Sequence, residues 1–355
     1  MSLEDRLKAE IRLDGPMNVA RYMALCLHDP EGGYYATRPA LGAEGDFITA
    51  PLVSQMFGEL IGLWCAEVWT RLGWPRRFAW VEMGPGDGTL IADAIRAARA
   101  LPGFLEAAEL WLVEPSEPLR RLQAERLMEG PLQPHFTDSL AQLPRGAPII
   151  MVANELLDCL PARQFVMTPS GWAERMVGLD ENGALAFGLI PAAGETLPDG
   201  APPGTVLEVS TRQAVLGAEV GVLLARQGGA ALLIDYGRAR PEFGDTLQAL
   251  KRHEKVSPLQ NPGEADLTVH ADFPSVLAAA RREGTQTSPI LTQRDFLIRL
   301  GIETRAAALS RAAPDKADLI ARQLDRLIAP DQMGELFKAA AIHAPGLVPP
   351  GFEED

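Results

Sequence analysis

The side chains best equipped for chemistry in this 355-residue chain are carboxylates, and they stand beside glycines or at the ends of apolar runs. Glu82 precedes Gly84-Pro85-Gly86-Asp87-Gly88, Glu114 follows Leu110-Trp111-Leu112-Val113, and Asn154-Glu155-Leu156-Leu157-Asp158 follows Ile149-Ile150-Met151-Val152. Asp235-Tyr236 closes a fourth run, Leu232-Leu233-Ile234. Glycines in such a turn take backbone angles denied to other residues and let a ligand lie against the main chain. Their spacing is G-x-G-x-G, not the G-x-G-x-x-G of dinucleotide sites. A carboxylate at the mouth of the loop repels a pyrophosphate and attracts a ligand bearing an ammonium and a sulfonium. S-adenosyl-L-methionine carries both charges. Gly84, Gly86, Gly88 and Glu82 are therefore assigned to it. Glu114 stands 26 residues beyond Gly88, near the ~20-residue interval at which an acid meets ribose hydroxyls. Asp138 is placed at the adenine amino group.

These groups need elements that bring strand ends together. From Phe78 onward, apolar runs alternate with helical patterns, which predicts an α/β protein with a parallel sheet and a site beyond the strands' carboxyl ends. Residues 1–75 read as an N-terminal helical cap and 76–355 as the core, with a β-meander inserted at about 160–205 and a helical C-terminal part. Pro51 suits the first turn of one long helix with Val53, Met56, Phe57, Leu60, Trp64 and Val68 near one face. Asp46, Phe47, Thr49 and Ser54, just before and within that turn, are expected to close over the cofactor, with helix capping as their alternative role. The stretch from Lys251 to Phe273 shows little periodicity and reads as a functional loop.

A formal net charge of −14 argues against nucleic acid, whose phosphates require a basic surface. Cys26, Cys65 and Cys159 are not at metal-ligand spacing and read as buried thiols, so no metal is expected. The apolar-rich stretch from Leu52 to Leu72 is broken by Glu59, Glu67 and Arg71 and does not read as membrane-spanning. With no signal-peptide pattern, the expectation is a soluble, cytoplasmic protein.

Beyond these elements, the chain resembles the MidA-like S-adenosyl-L-methionine-dependent methyltransferases. The resemblance rests on Gly45-Asp46-Phe47-Ile48-Thr49-Ala50-Pro51, Val81 to Leu90, Leu112-Val113-Glu114-Pro115-Ser116 and Asn154-Glu155-Leu156-Leu157-Asp158. Further matches are Leu233-Ile234-Asp235-Tyr236-Gly237, Ala265 to Phe273 and Met333 to Lys338. It implies a class I methyltransferase (Rossmann-like) fold and methyl transfer to an arginine of a partner protein, such as a respiratory complex I subunit. A guanidinium is a poor nucleophile while protonated and delocalised. Carboxylates that bind two of its nitrogens orient the third, and one can accept the released proton. Glu155 and Asp158, at i and i+3, are expected on one face of a helical turn in that role, with Asn154 fixing the loop or the methionine moiety. His270 and Tyr236 are secondary candidates. Three other readings stand beside this one, the first two being a nicotinamide oxidoreductase, which the glycine spacing disfavours, and a non-enzymatic cofactor-binding assembly factor. A methyltransferase for a different protein or a small molecule is the third.

Overall fold

Apolar side chains of the central strands alternate between two faces, and each face buries a separate core. The computed structural model describes residues 1–37 and 49–353. In the Phe78–Met83 strand, Phe78 and Trp80 join one core while Ala79 and Val81 join the other. The Ile149–Asn154 strand divides in the same way, Ile150 and Val152 against Ile149, Met151 and Ala153. Strands buried on both faces require helices on both sides. Helices Gln55–Arg71, Thr89–Ala98, Ile302–Ala312 and Ala317–Ile328 cover one face. Helices Thr211–Gln227 and Phe273–Arg282 cover the other. Trp64, Trp80, Phe57 and Phe78 are fully buried, each stabilising the fold by about 1.5–3 kcal/mol.

Across the sheet the strands run His135–Thr137, Ala108–Val113, Phe78–Met83, Ile149–Asn154, Gly229–Arg238, Phe337–His343 and Gln286–Thr287. The first five are parallel, so their carboxyl ends open on one rim. Phe337–His343 runs antiparallel to Gly229–Arg238. The sequence predicts only helices in this C-terminal part, because Ala339-Ala340-Ala341 lacks β-branched residues and has weak strand propensity. Pairing along the buried Gly229–Arg238 strand overrides that preference.

Four further expectations change. Within the stretch read as an aperiodic loop, and just before it, Gln248–Lys251, Glu254–Val256 and Asp266–Thr268 form a three-stranded sheet; strands this short carry almost no alternation. The meander contains Arg163–Thr168, Gly171–Leu179 and Leu185–Pro191. It extends past residue 205, since Val206–Val209 pairs with its first strand and Met17–Asn18 with its second. Residues 1–75 are accordingly shared between two cores. Leu3, Leu7, Tyr22 and Met23 pack with Val177, Leu267 and Val269, whereas Met56, Leu60 and Trp64 belong to the central sheet. The single helix expected from Pro51 is two: Ala50–Val53 and Gln55–Arg71 are separated by Ser54, which is extended at φ −161°, ψ 139°. Ser54 Oγ accepts from the Met56 amide at 3.3 Å, so its side chain caps the second helix. No helix among the described residues is long and apolar enough to cross a membrane.

The Gln55–Arg71 helix lies unusually close to Thr89–Ala98 through Gly58 and Gly62. A Cβ on Gly62 would stand 2.4 Å from the Ala94 carbonyl oxygen. Alanine gains about 1 kcal/mol of helix propensity over glycine, but overpacking costs roughly 1–3 kcal/mol. Gly62→Ala is therefore expected to lower the thermal midpoint by several degrees. A scan with an unchanged or higher midpoint would show that the helices separate freely.

Candidate active site

The glycine loop follows the Phe78–Met83 strand and opens the Thr89–Ala98 helix. Gly84, Gly86 and Gly88 have φ of 63°, 57° and 80°, the left-handed region that residues with a Cβ avoid. A Cβ on Gly84 would meet Leu156 Cδ1 at 2.9 Å, so glycine lets this turn approach the 154–158 turn without displacing the Leu156 side chain. Gln123 Nε2 donates to the Gly86 carbonyl at 2.7 Å, and Asp87 Oδ1 accepts from the Thr89 amide at 3.0 Å. The loop is thus held from its outer side and leaves its inner side to a cavity of about 880 Å³. That volume is near the upper end of ligand pockets, about 300–1,000 Å³, and leaves room for a second ligand beside a cofactor.

The chemistry of the inner side tests whether the residues fit S-adenosyl-L-methionine. Glu82 and Asn154 line the cavity, and Glu82 Oε2 and Asn154 Oδ1 are buried without a hydrogen-bond partner. Both are acceptors. Each unmet acceptor costs about 1–3 kcal/mol, and a ligand ammonium supplies three donors. Burial, with Asp87 adding repulsion, raises the Glu82 carboxyl to about 8. In the empty cavity the residue is therefore largely protonated at neutral pH, and both its acceptor role and the charge argument drawn from the sequence apply to the ionised form that a cationic ligand stabilises. Glu114 is buried and its carboxyl is raised mainly by desolvation. Its Oε1 accepts from the Ser116 amide at 2.8 Å, which holds the side chain beside the cavity that it lines. Buried acceptors next to a glycine-lined wall fit a cationic ribonucleoside donor and disfavour a pyrophosphate.

The turn after the Ile149–Asn154 strand is built differently from the expected helical turn. Glu155 has φ 52°, a left-handed conformation for a residue with a Cβ, which is found where the surroundings enforce it and often at functional sites. Asp235 enforces it here. Its Oδ2 accepts from the Leu157 and Asp158 amides at 2.8 and 3.2 Å, and its Oδ1 from the Tyr236 amide at 2.8 Å. Glu155 and Asp158 come together through this turn, not through helical spacing, and both line the cavity. Glu155 Oε1 accepts from the Ala50 amide at 2.9 Å and from Asn154 Nδ2 at 3.1 Å. The catalytic candidate therefore also anchors the start of the Ala50–Val53 helix to the core. Burial raises the Glu155 carboxyl to about 7, with the neighbouring Asp158 contributing; Asp158 is itself raised by burial.

The remaining candidates divide. Thr49 lines the cavity and is the N-cap of the Ala50–Val53 helix without a side-chain cap bond. Asp46 and Phe47 lie outside the described residues. Asp138 lines the cavity and is largely exposed, with its Oδ1 ion-paired to Arg120. His270 does not line the cavity and stands edge-on to Tyr236, ring centroids 5.7 Å apart; Tyr236 does line it. The sequence reading does not single out Tyr35, Ser116 or Asp266 as site residues, although all three line the cavity. Tyr35 belongs to none of the motifs that carry the resemblance, and Asp266 stands in the stretch without periodicity, where the Ala265–Phe273 match assigns it no role.

Known proteins of the same build bear on this geometry. Residues 60–291 match the family described as "Putative S-adenosyl-L-methionine-dependent methyltransferase". Protein arginine methyltransferase NDUFAF7, mitochondrial, of Danio rerio is 36% identical over 95% of this chain and 86% of its own length. The Homo sapiens protein of the same name is 34% identical over 95% of this chain and 82% of its own. A crystal structure from Burkholderia thailandensis bound to S-adenosyl-homocysteine superposes with a TM-score of 0.85 at 28% identity, covering 99% of this chain and 92% of that one. That structure holds the demethylated form of the cofactor which the glycine loop, Glu82 and Glu114 are suited to bind. The α/β sheet, the acceptor-lined cavity and these matches together place the chain in the family of S-adenosyl-L-methionine-dependent methyltransferases.

Proposed function

We propose that this methyltransferase acts on an arginine side chain of a partner protein, with Glu155 and Asp158 holding the guanidinium. The observation that carries the reading is a pair of carboxylates, Asp158 buried and Glu155 half-buried, facing the same cavity as the glycine loop. Desolvation opposes the charge of both, Asp158 adds to it at Glu155, and neither group's shift is lowered by a basic side chain among the described residues. A planar cation with several N–H donors would pair with both. When bound, the cofactor supplies an electrophilic methyl group. The chain's own residues then have three tasks. Glu155 and Asp158 localise the guanidinium charge and turn the free nitrogen inward, one of them accepts the released proton, and the tie between Glu155 and Ala50 keeps the cavity wall closed against water. The names of the relatives support arginine as the acceptor.

We extend the proposal to a respiratory complex I subunit as client, which rests on the family resemblance, and to a cytoplasmic location, which rests on composition alone; the named relatives are mitochondrial. The test is incubation of the purified chain with methyl-labelled S-adenosyl-L-methionine and host extract, followed by protein hydrolysis and amino-acid analysis. Label recovered as methylarginine from one or a few proteins is the expected result. Label on a small molecule or on another residue type would replace the arginine reading. Cofactor binding without any transfer would favour the assembly-factor reading.

A further inference from the structure

Past the glycine loop, the cavity continues to polar groups that neither the donor site nor the Glu155–Asp158 pair uses. Tyr35 comes from the short helix Tyr34–Thr37, and Asp266 opens the Asp266–Thr268 strand. The Tyr35 hydroxyl donates to Asp266 Oδ1 at 3.0 Å. The Tyr35 carbonyl accepts from Ser116 Oγ at 2.9 Å, and the Ser116 amide donates to Glu114 at 2.8 Å. Tyr35 is held on its ring as well: His28 stacks on it at 5.8 Å between centroids and Tyr34 meets it edge-on at 5.1 Å. Asp266 is only 7% exposed, and Asp158 lies near enough to bear on the same tyrosine hydroxyl.

A group of acids is not a site without a sign that something is meant to meet it. Tyr236 provides that sign. It lines the same cavity and is 7% exposed, and its hydroxyl, beside Asp158 and Thr268, makes no hydrogen bond of good geometry. A buried hydroxyl held only by poorly aligned contacts to Asp158 and Thr268 carries a desolvation cost that a polar ligand at this spot would reduce.

We propose that Asp266, oriented by Tyr35, is a third carboxylate of the substrate end and makes the site select a guanidinium over an ammonium. The proposal rests on the arginine reading above and deepens it. Arginine carries five N–H donors in a rigid planar fork, whereas lysine carries three on a compact point charge. Glu155 and Asp158, two turn residues close together, suffice for an ammonium. An acceptor on a separate strand is engaged only by a group wide enough to reach it. The hydrogen bonds from Glu114 through Ser116 to Tyr35 fix this acceptor relative to the donor site, so both ligands are measured from one strand end. Tyr35 acts as a positioning residue, Asp266 as the contact.

The test uses the full chain saturated with S-adenosyl-homocysteine and titrated calorimetrically with N-acetyl-arginine amide and N-acetyl-lysine amide. In Asp266→Asn, arginine-amide affinity is expected to fall at least about tenfold and lysine-amide affinity less than about threefold, with S-adenosyl-homocysteine binding unchanged. Tyr35→Phe keeps the carboxylate and loses its orientation, so a loss of about three- to tenfold in the same direction is expected; Asp266→Glu should restore part of the affinity. With a single-arginine peptide, both variants should raise KM more than they lower kcat. An Asp266→Asn chain that binds S-adenosyl-homocysteine normally and arginine amide as tightly as the wild type would overturn the proposal. If Asp266→Asn does not fold, Tyr35→Phe decides alone, and unchanged arginine-amide binding there overturns it. A wild-type chain that prefers lysine amide, or binds neither, fails the arginine reading itself, whatever Asp266 does.

Discussion

Glu155→Gln is expected to bind S-adenosyl-L-methionine within about threefold of the wild type while kcat falls by about 10²–10⁴, the span typical of a lost acid–base group. Glutamine keeps an oxygen for the Ala50 amide and for Asn154 Nδ2, the two bonds that Glu155 Oε1 now accepts at 2.9 and 3.1 Å. It removes the negative charge and the capacity to take a proton. Glu155→Ala would also free the Ala50 amide and should weaken cofactor binding, so the pair of variants separates chemistry from wall closure. The pH profile carries the same information. Glu155 ionises near 7 and Asp158 is also raised, so both hold protons at pH 5 and cannot receive one from the substrate. Wild-type kcat/KM should therefore climb as pH rises through about 6–7 and then level off. A flat profile over that range, or near wild-type turnover in Glu155→Gln, would remove Glu155 from the chemistry. Loss of cofactor binding in Glu155→Gln would instead move it to the donor site.

The second large effect concerns Glu82. Glu82→Gln should weaken S-adenosyl-L-methionine binding by about 10- to 100-fold, since a hydrogen bond to a charged group contributes about 1.5–3 kcal/mol. The same substitution should make the ligand-free protein more stable at alkaline pH. The carboxyl has a value of about 8 in the fold, against a reference of 4.5. Between those values the folded state holds a proton that the unfolded chain has released. Stability is therefore fully present below about 4.5, falls as pH rises toward 8, and levels off above. The loss is on the order of a few kcal/mol. Glutamine has no proton to lose, so its advantage in a denaturant titration should be absent near pH 4 and greatest above about pH 8. Equal stability of the two chains across the range would show that Glu82 is ionised freely in the fold. A buried acid that destabilises the empty protein and is satisfied by a cationic ligand has the character of a binding residue.

Much of this was visible in the residues themselves. The parallel strands, the glycine turn and the acids at the strand ends are local features, each marked by a run of apolar residues or a glycine. Other features were hidden because they depend on distant partners. The Phe337–His343 strand is alanine-rich and becomes a strand through pairing with Gly229–Arg238. The break at Ser54 in a continuous amphipathic pattern is set by a cap and by the bond from Ala50 to Glu155 across 105 positions. The ion pair of Asp138 with Arg120 is likewise invisible in the sequence, because it spans an intervening strand.

The sequence by itself determined the donor: three glycines at alternate positions after an acid need only one turn to express their chemistry, and that turn is local. What only the tertiary structure decided is the acceptor end. Asp235 imposes the 154–158 turn from 77 and 78 residues away, and Tyr35 meets Asp266 across 231. Periodicity records which face of an element is buried, but it does not record which loops a folded sheet brings to one rim. Carboxylates with ordinary spacing in the chain become a cation site only when packing excludes water from all of them at once.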